Sequence, residues 1–174
     1  IVGNQKNNVL KAGDAYSLLN GGAGNDKLYG DAGDDVLIGG AGTDTLTGGA
    51  GSDTFIYVSE SDVITDYEAG KDVITLSDAT LSASTIQGSD VVLDMGGGDI
   101  TIKNGKDKVI TVFDGDNTIS GIFGYFDGVG EETITVNSAF TGKELTAKMY
   151  TGATNNGEVV TVTAIDGSQF DSNI

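Results

Sequence analysis

The chain has 174 residues, with 26 acidic against 9 basic side chains and a net charge of −17; a surface of that sign repels nucleic acid and anionic membranes and attracts cations. It has no histidine and no cysteine, which excludes Ser–His and Cys–His nucleophiles, disulfides and thiolate metal sites, and leaves zinc, iron and copper poorly served. No apolar run approaches the ~18 residues of a membrane-spanning helix, and the opening residues do not read as a signal peptide.

Residues 3–56 repeat with a period of nine. Four units fit GGxGxDxLx well: 21–29 GGAGNDKLY, 30–38 GDAGDDVLI, 39–47 GGAGTDTLT and 48–56 GGAGSDTFI. Two degenerate units, 3–11 GNQKNNVLK and 12–20 AGDAYSLLN, keep the frame. The eighth position reads Leu10, Leu19, Leu28, Leu37, Leu46, Phe55, so the apolar residue persists through all six units. The sixth reads Asn8, Ser17, Asp26, Asp35, Asp44, Asp53, so the acid persists through only four. Such a unit divides into six turn residues and a three-residue strand with one inward side chain. A strand that short needs copies of itself to stack on, which predicts a solenoid.

After residue 56 the texture changes to short β-rich runs: 54–58, 63–65, 72–76, 90–95, 99–103, 108–113, 118–123, 132–136, 144–150 and 158–165. MGGGD at 95–99 reads as the turn of a hairpin. No sustained helical period is present, although 77–85 and 138–149 have room for a helical turn. GKDK at 105–108 reads as a turn, not a phosphate loop.

Glycine admits the positive φ that sharp turns need and brings backbone carbonyls face to face. Carbonyls and carboxylates together form a hard oxygen donor set suited to Ca²⁺, and less to the stricter octahedron of Mg²⁺. Stacked carboxylates with no cation between them repel. The repeat GGxGxDxUx resembles the nonapeptide of the RTX, or haemolysin-type calcium-binding, proteins. That resemblance implies a right-handed parallel β-roll in which two nonapeptides make one 18-residue coil, with calcium between turns of adjacent coils.

Carried over residue by residue, the resemblance pairs Asp26 with Asp44 and Asp35 with Asp53, around two or more Ca²⁺. Carbonyls come from the turn glycines Gly22, Gly24, Gly33, Gly39, Gly40, Gly42, Gly48, Gly49 and Gly51. The segment 51–78 is similar to the one that follows the roll in many family members, where an acid completes the last calcium site. Asp62 stands at that position, with Asp66 behind it. Asp31 departs from the motif by replacing a glycine, a place where aspartate tolerates a left-handed backbone better than most residues. Asn8 and Ser17 offer fewer charges than aspartate, so their steps are expected to be weak or empty.

The expected organisation is all-β: a calcium-binding roll over 1–60, a β cap over 61–113 and a β-rich extension over 114–174, possibly leading into a further module. The resemblance implies a calcium-binding, non-catalytic module of a larger secreted or cell-surface bacterial protein, which folds on calcium after type I secretion. The partners expected are calcium and a possible surface glycan or protein, with no nucleic acid and no membrane insertion. An adhesive module whose 114–174 region binds that glycan or protein is the alternative, with Phe123, Tyr125 and Phe126 the aromatics to inspect. A non-catalytic tail of a secreted hydrolase or toxin is the third reading.

Overall fold

The computed structural model describes residues 1–115 and 117–123, together with the strands Thr133–Val136 and Thr161–Ala164. Among the described residues there is no helix. The repeats alternate between two sheets. One sheet stacks β1 (Val2–Asn4), β3 (Leu18–Ala23), β5 (Val36–Ala41), β7 (Thr54–Tyr57) and β9 (Val73–Leu76), and the other stacks β2 (Val9–Lys11), β4 (Lys27–Tyr29), β6 (Thr45–Thr47) and β8 (Asp62–Ile64). All of these neighbours pair in parallel. The result is a parallel β-solenoid of about four turns.

The register is the 18-residue period. Leu10, Leu28, Leu46 and Ile64 are aligned across one sheet. Leu19, Leu37, Phe55 and Ile74 are aligned across the other. These are the two inner columns that the eighth position of the repeat predicts, and Leu19, Leu28, Leu37 and Ile74 are fully buried between the sheets. Strand lengths differ from the expected three: β3 and β5 run for six residues because they continue through the opening glycines of the next unit.

Beyond residue 76 the chain extends the same two sheets. β10 (Ala83–Gln87), β11 (Asp90–Asp94) and β12 (Asp99–Ile102) form an antiparallel meander whose last strand joins β8 in parallel. β13 (Val109–Asp114) joins β9 in parallel and pairs with β14 (Asn117–Ile122) in antiparallel fashion. Each sheet therefore has seven strands. The 95–99 hairpin is present, closed by Met95 N–H donating to Gly98 O at 2.9 Å. The helical turn allowed at 77–85 is absent. Ala83–Gln87 is a strand, turned back at Gly88 (φ 69°) onto Asp90–Asp94, and cross-strand pairing outweighs local propensity there. β15 (Thr133–Val136) and β16 (Thr161–Ala164) pair in parallel. The expected strand 144–150, the helical turn at 138–149, and Tyr125 and Phe126 lie outside the described residues. Phe123 is partly buried against the core.

Tyr67 fastens the fourth turn to the cap. It is fully buried. Its hydroxyl donates to Asp72 O (2.7 Å) and accepts from Thr111 N–H (2.9 Å). Lys108 Nζ donates to Tyr67 O at 2.7 Å.

Leu37 lies mid-column with both neighbours in register, so Leu37→Ala should leave a cavity and cost about 2–5 kcal/mol. Lys27→Ala, on the outer face of β4, should change stability by no more than about 0.5 kcal/mol. Chemical denaturation in calcium-containing buffer measures both; equal effects would contradict the inward and outward assignment.

Candidate metal centre

The sixth position of the repeat forms two buried columns of acids, one at each turn of the roll. Asn8, Asp26, Asp44 and Asp62 make one; Ser17, Asp35, Asp53 and Asp72 make the other. All six aspartates are at most 3% exposed. They are held by a ladder of hydrogen bonds to the backbone one coil earlier. Asn8 N–H donates to Asp26 Oδ1 (2.7 Å), Asp26 N–H to Asp44 Oδ1 (2.7 Å), and Asp44 N–H to Asp62 Oδ1 (3.2 Å). Across the roll, Ser17 N–H donates to Asp35 Oδ1 (2.7 Å), Asp35 N–H to Asp53 Oδ1 (2.8 Å), and Asp53 N–H to Asp72 Oδ1 (3.0 Å).

The second oxygen is left over. Oδ2 of Asp26, Asp35, Asp44, Asp53 and Asp62 is buried without a hydrogen-bond partner. Burying a carboxylate costs several kcal/mol unless charge or hydrogen bonds compensate. Five such atoms, all carboxylate oxygens and all in two files, call for a common partner.

The glycines make the space for them. A Cβ on Gly39 would collide with Asp44 Oδ2, and one on Gly48 with Asp53 Oδ2. Gly22, Gly24, Gly33, Gly40, Gly42, Gly49 and Gly51 hold the turns at φ between 99° and 143°. A Cβ on Gly40 would strike the carbonyl oxygen of Gly22 one coil below. Asp31 takes the glycine conformation at φ 70°, as its position in the repeat requires.

Among the described residues no three acidic side chains converge on one point. Each step between two aspartates offers two carboxylates, the first step of each file, from Asn8 or Ser17, offers one, and any further ligands have to be turn carbonyls. This donor set is oxygen only and fits a hard divalent cation. The structure brings together Asp26 with Asp44 and Asp35 with Asp53, and it stacks Asp62 on Asp44. Asp66 does not join the files: its carboxylate accepts from Gly48 N–H (2.9 Å) and Gly49 N–H (2.8 Å). Asp72 is an addition that the nine-residue frame misses, because it follows Asp53 by 19 residues instead of 18. The signal for it is present in the chain: Asp72-Val73-Ile74 repeats Asp62-Val63-Ile64, an acid two places before an inward aliphatic.

Burial pushes the Asp62 carboxyl up to about 8, with the charge of Asp44 the next contribution. Burial pushes Asp53 up to about 6, opposed by the Asp35 N–H and reinforced by the charges of Asp72, Asp35 and Asp66. Asp35, Asp44 and Asp72 are raised for the same first cause. Carboxyls whose folded values lie above the ordinary 3.8 stabilise the metal-free fold fully only below that value. Their contribution is lost as pH rises through about 6 and about 8. In chelator, the melting temperature should therefore fall between pH 5 and pH 8.5. A rise over that interval would contradict the buried placement of these groups.

The chain was compared with known families and proteins. A family model described as RTX calcium-binding nonapeptide repeat (4 copies) matches residues 2–37, 20–55 and 29–64. No curated protein matches the chain. The structure is similar to the AlgE6R3 subunit of the Azotobacter vinelandii mannuronan C5-epimerase, at TM-score 0.47 and 26% identity over 56% of this chain and 71% of that one. It is similar to the AlgE6R2 subunit of the same enzyme at TM-score 0.47 and 29% identity, over 59% of this chain and 83% of that one. The extracellular lipase LipA of Serratia marcescens matches at TM-score 0.47 and 26% identity, over 57% of this chain and 18% of the lipase. Residues 2–64 of this chain carry the RTX calcium-binding nonapeptide repeats that this family model describes.

Proposed function

We propose that this chain is a calcium-dependent folding module of a longer exported protein. RTX nonapeptides bind calcium, are typical of secreted proteins and are themselves non-catalytic. The observation that carries the reading is the set of five buried, unpartnered carboxylate oxygens in two files. Calcium between successive coils would be held by Asp26 with Asp44 and by Asp35 with Asp53. Asp62 would complete the last step on the Asp44 side, and carbonyls of the turn glycines would fill the remaining positions. Calcium supplies the positive charge that these carboxylates lack.

The chain's own residues do the rest. The backbone N–H ladder fixes each Oδ1, and the opening glycines leave room for each Oδ2. The Leu and Phe columns fill the space between the sheets. Ordering glycine-rich turns costs more entropy than ordering average chain. A ligand that binds only the native state offsets this by about 2.7 kcal/mol per site at a hundred times its dissociation constant. In a compartment poor in calcium the roll stays unfolded and passes a type I secretion channel; outside, where calcium is plentiful, it folds.

Circular dichroism during calcium titration tests this, with magnesium as control. Calcium should produce β signal that chelation removes, and magnesium should do so weakly. No dependence on either ion would refute the reading. Asp44→Ala should move the titration midpoint to higher calcium by more than one independent site predicts, since stacked coils couple. Asn8→Ala, in a degenerate unit, should move it little. Equal shifts from both would contradict the distinction between strong and degenerate repeats.

A further inference from the structure

The two files of acids end differently. On the Asp44 side the last member is Asp62, whose Oδ2 is buried and unpartnered. Its Oδ1 accepts from Asp44 N–H at 3.2 Å. The turn before Asp62, residues 57–61, contains none of the repeat's glycines. It is nevertheless built to shape. Glu60 takes φ 62°. Its carbonyl accepts from Tyr57 Oη at 2.8 Å, and Ser59 Oγ donates to Gly40 O at 3.4 Å. This step keeps the open carboxylate oxygens of the steps below it.

On the Asp53 side the last member is Asp72, and neither of its own oxygens is left open. Asp72 Oδ1 accepts from Asp53 N–H at 3.0 Å and Oδ2 accepts from Glu68 N–H at 2.7 Å. Asp66, in the same turn, places both its oxygens on Gly48 N–H and Gly49 N–H, which belong to the coil below. The extra residue between Asp53 and Asp72 gives this turn the length to fold back on itself. Tyr67 Oη donating to Asp72 O locks it against the cap.

We infer that the final step of the roll on the Asp53 side is closed by the protein itself, through Asp66 and Asp72, and takes no ion, whereas the matching step on the Asp44 side, between Asp44 and Asp62, takes one. Asp66 and Asp72 are positioning residues: each carboxylate oxygen already faces a backbone N–H. Asp62 is a ligand, because one of its oxygens faces none. The roll therefore carries one more divalent cation on the Asp44 side than on the Asp53 side. This rests on the calcium reading above.

Native mass spectrometry of the full chain in calcium, together with melting curves in calcium and in chelator, tests the asymmetry. Asp62→Asn should bind one ion fewer than the parent chain. Asp72→Asn should keep the parent's ion count while melting at lower temperature, because its amide NH₂ opposes the Glu68 N–H. Asp66→Asn is the milder partner should Asp72→Asn fail to fold, and it too should keep the count. Loss of an ion in Asp72→Asn or Asp66→Asn would show that the Asp53 side also ends on a cation. An unchanged count in Asp62→Asn would show that the Asp44 side does not. Either result overturns the inference while leaving calcium binding by the repeats in place. A parent chain that binds no ion at all would instead remove the calcium reading itself.

Discussion

Each aspartate at the sixth position of the repeat commits one carboxylate oxygen to a backbone N–H of the adjoining coil and leaves the other buried with no partner. The first half of that arrangement specifies the stack, since the hydrogen bond forms only when the turns of adjacent coils lie in register, 18 residues apart in the repeats and 19 at Asp72. The second half makes the stack conditional. Like charges at the ~4.8 Å spacing of adjacent strands repel by roughly 3.5 kcal/mol at an effective dielectric of about 20. Burial raises Asp35, Asp44, Asp53 and Asp62 toward neutrality, which lets a metal-free roll persist at low pH and weakens it as pH rises. A divalent cation reverses this by stabilising the ionised form of the same groups.

The rest of the architecture serves that ladder. Glycine opens each unit because a Cβ there would occupy the place of Oδ2, as at Gly39 and Gly48. Parallel backbone pairing sets the separation of the coils and the apolar columns fill the space between the sheets, so the carboxylate spacing is imposed by the stack. In the four strong units the acid stands two places before the apolar residue, which places the charge in the turn and the apolar side chain between the sheets. The cap continues the two sheets instead of building a second core. Its meander covers one sheet's end and the β13–β14 hairpin the other's, and Tyr67 ties β13 to the fourth turn.

The repeated part of this design is legible in the chain because a strict period leaves little freedom. Once the family resemblance sets two nine-residue units to a coil, the two inner columns and the pairing of Asp26 with Asp44 and of Asp35 with Asp53 follow from the period, and the resemblance of 51–78 to the segment after the roll points to Asp62. Legibility fails where the count slips. The single extra residue before Asp72 hides it from a nine-residue frame, although the Asp-Val-Ile triplet marks it. Asp66 lies close to the roll in sequence and carries the right chemistry. Only the fold shows both its oxygens engaged by glycine N–H groups. β10 was ambiguous for a different reason: its Ala, Ser and Gln have weak strand propensity, and the partner strand across Gly88 decides the outcome.

The most direct measurement is anomalous scattering from crystals grown in millimolar calcium. Peaks should lie between coils, inside the turns, one within coordination distance of Asp26 and Asp44 and another of Asp35 and Asp53. They should coincide with the space that the unpartnered Oδ2 atoms border. A folded roll whose calcium peaks fall only on exposed carboxylates such as Asp34, or that shows none, would contradict the claim that the buried ladder is completed by the ion.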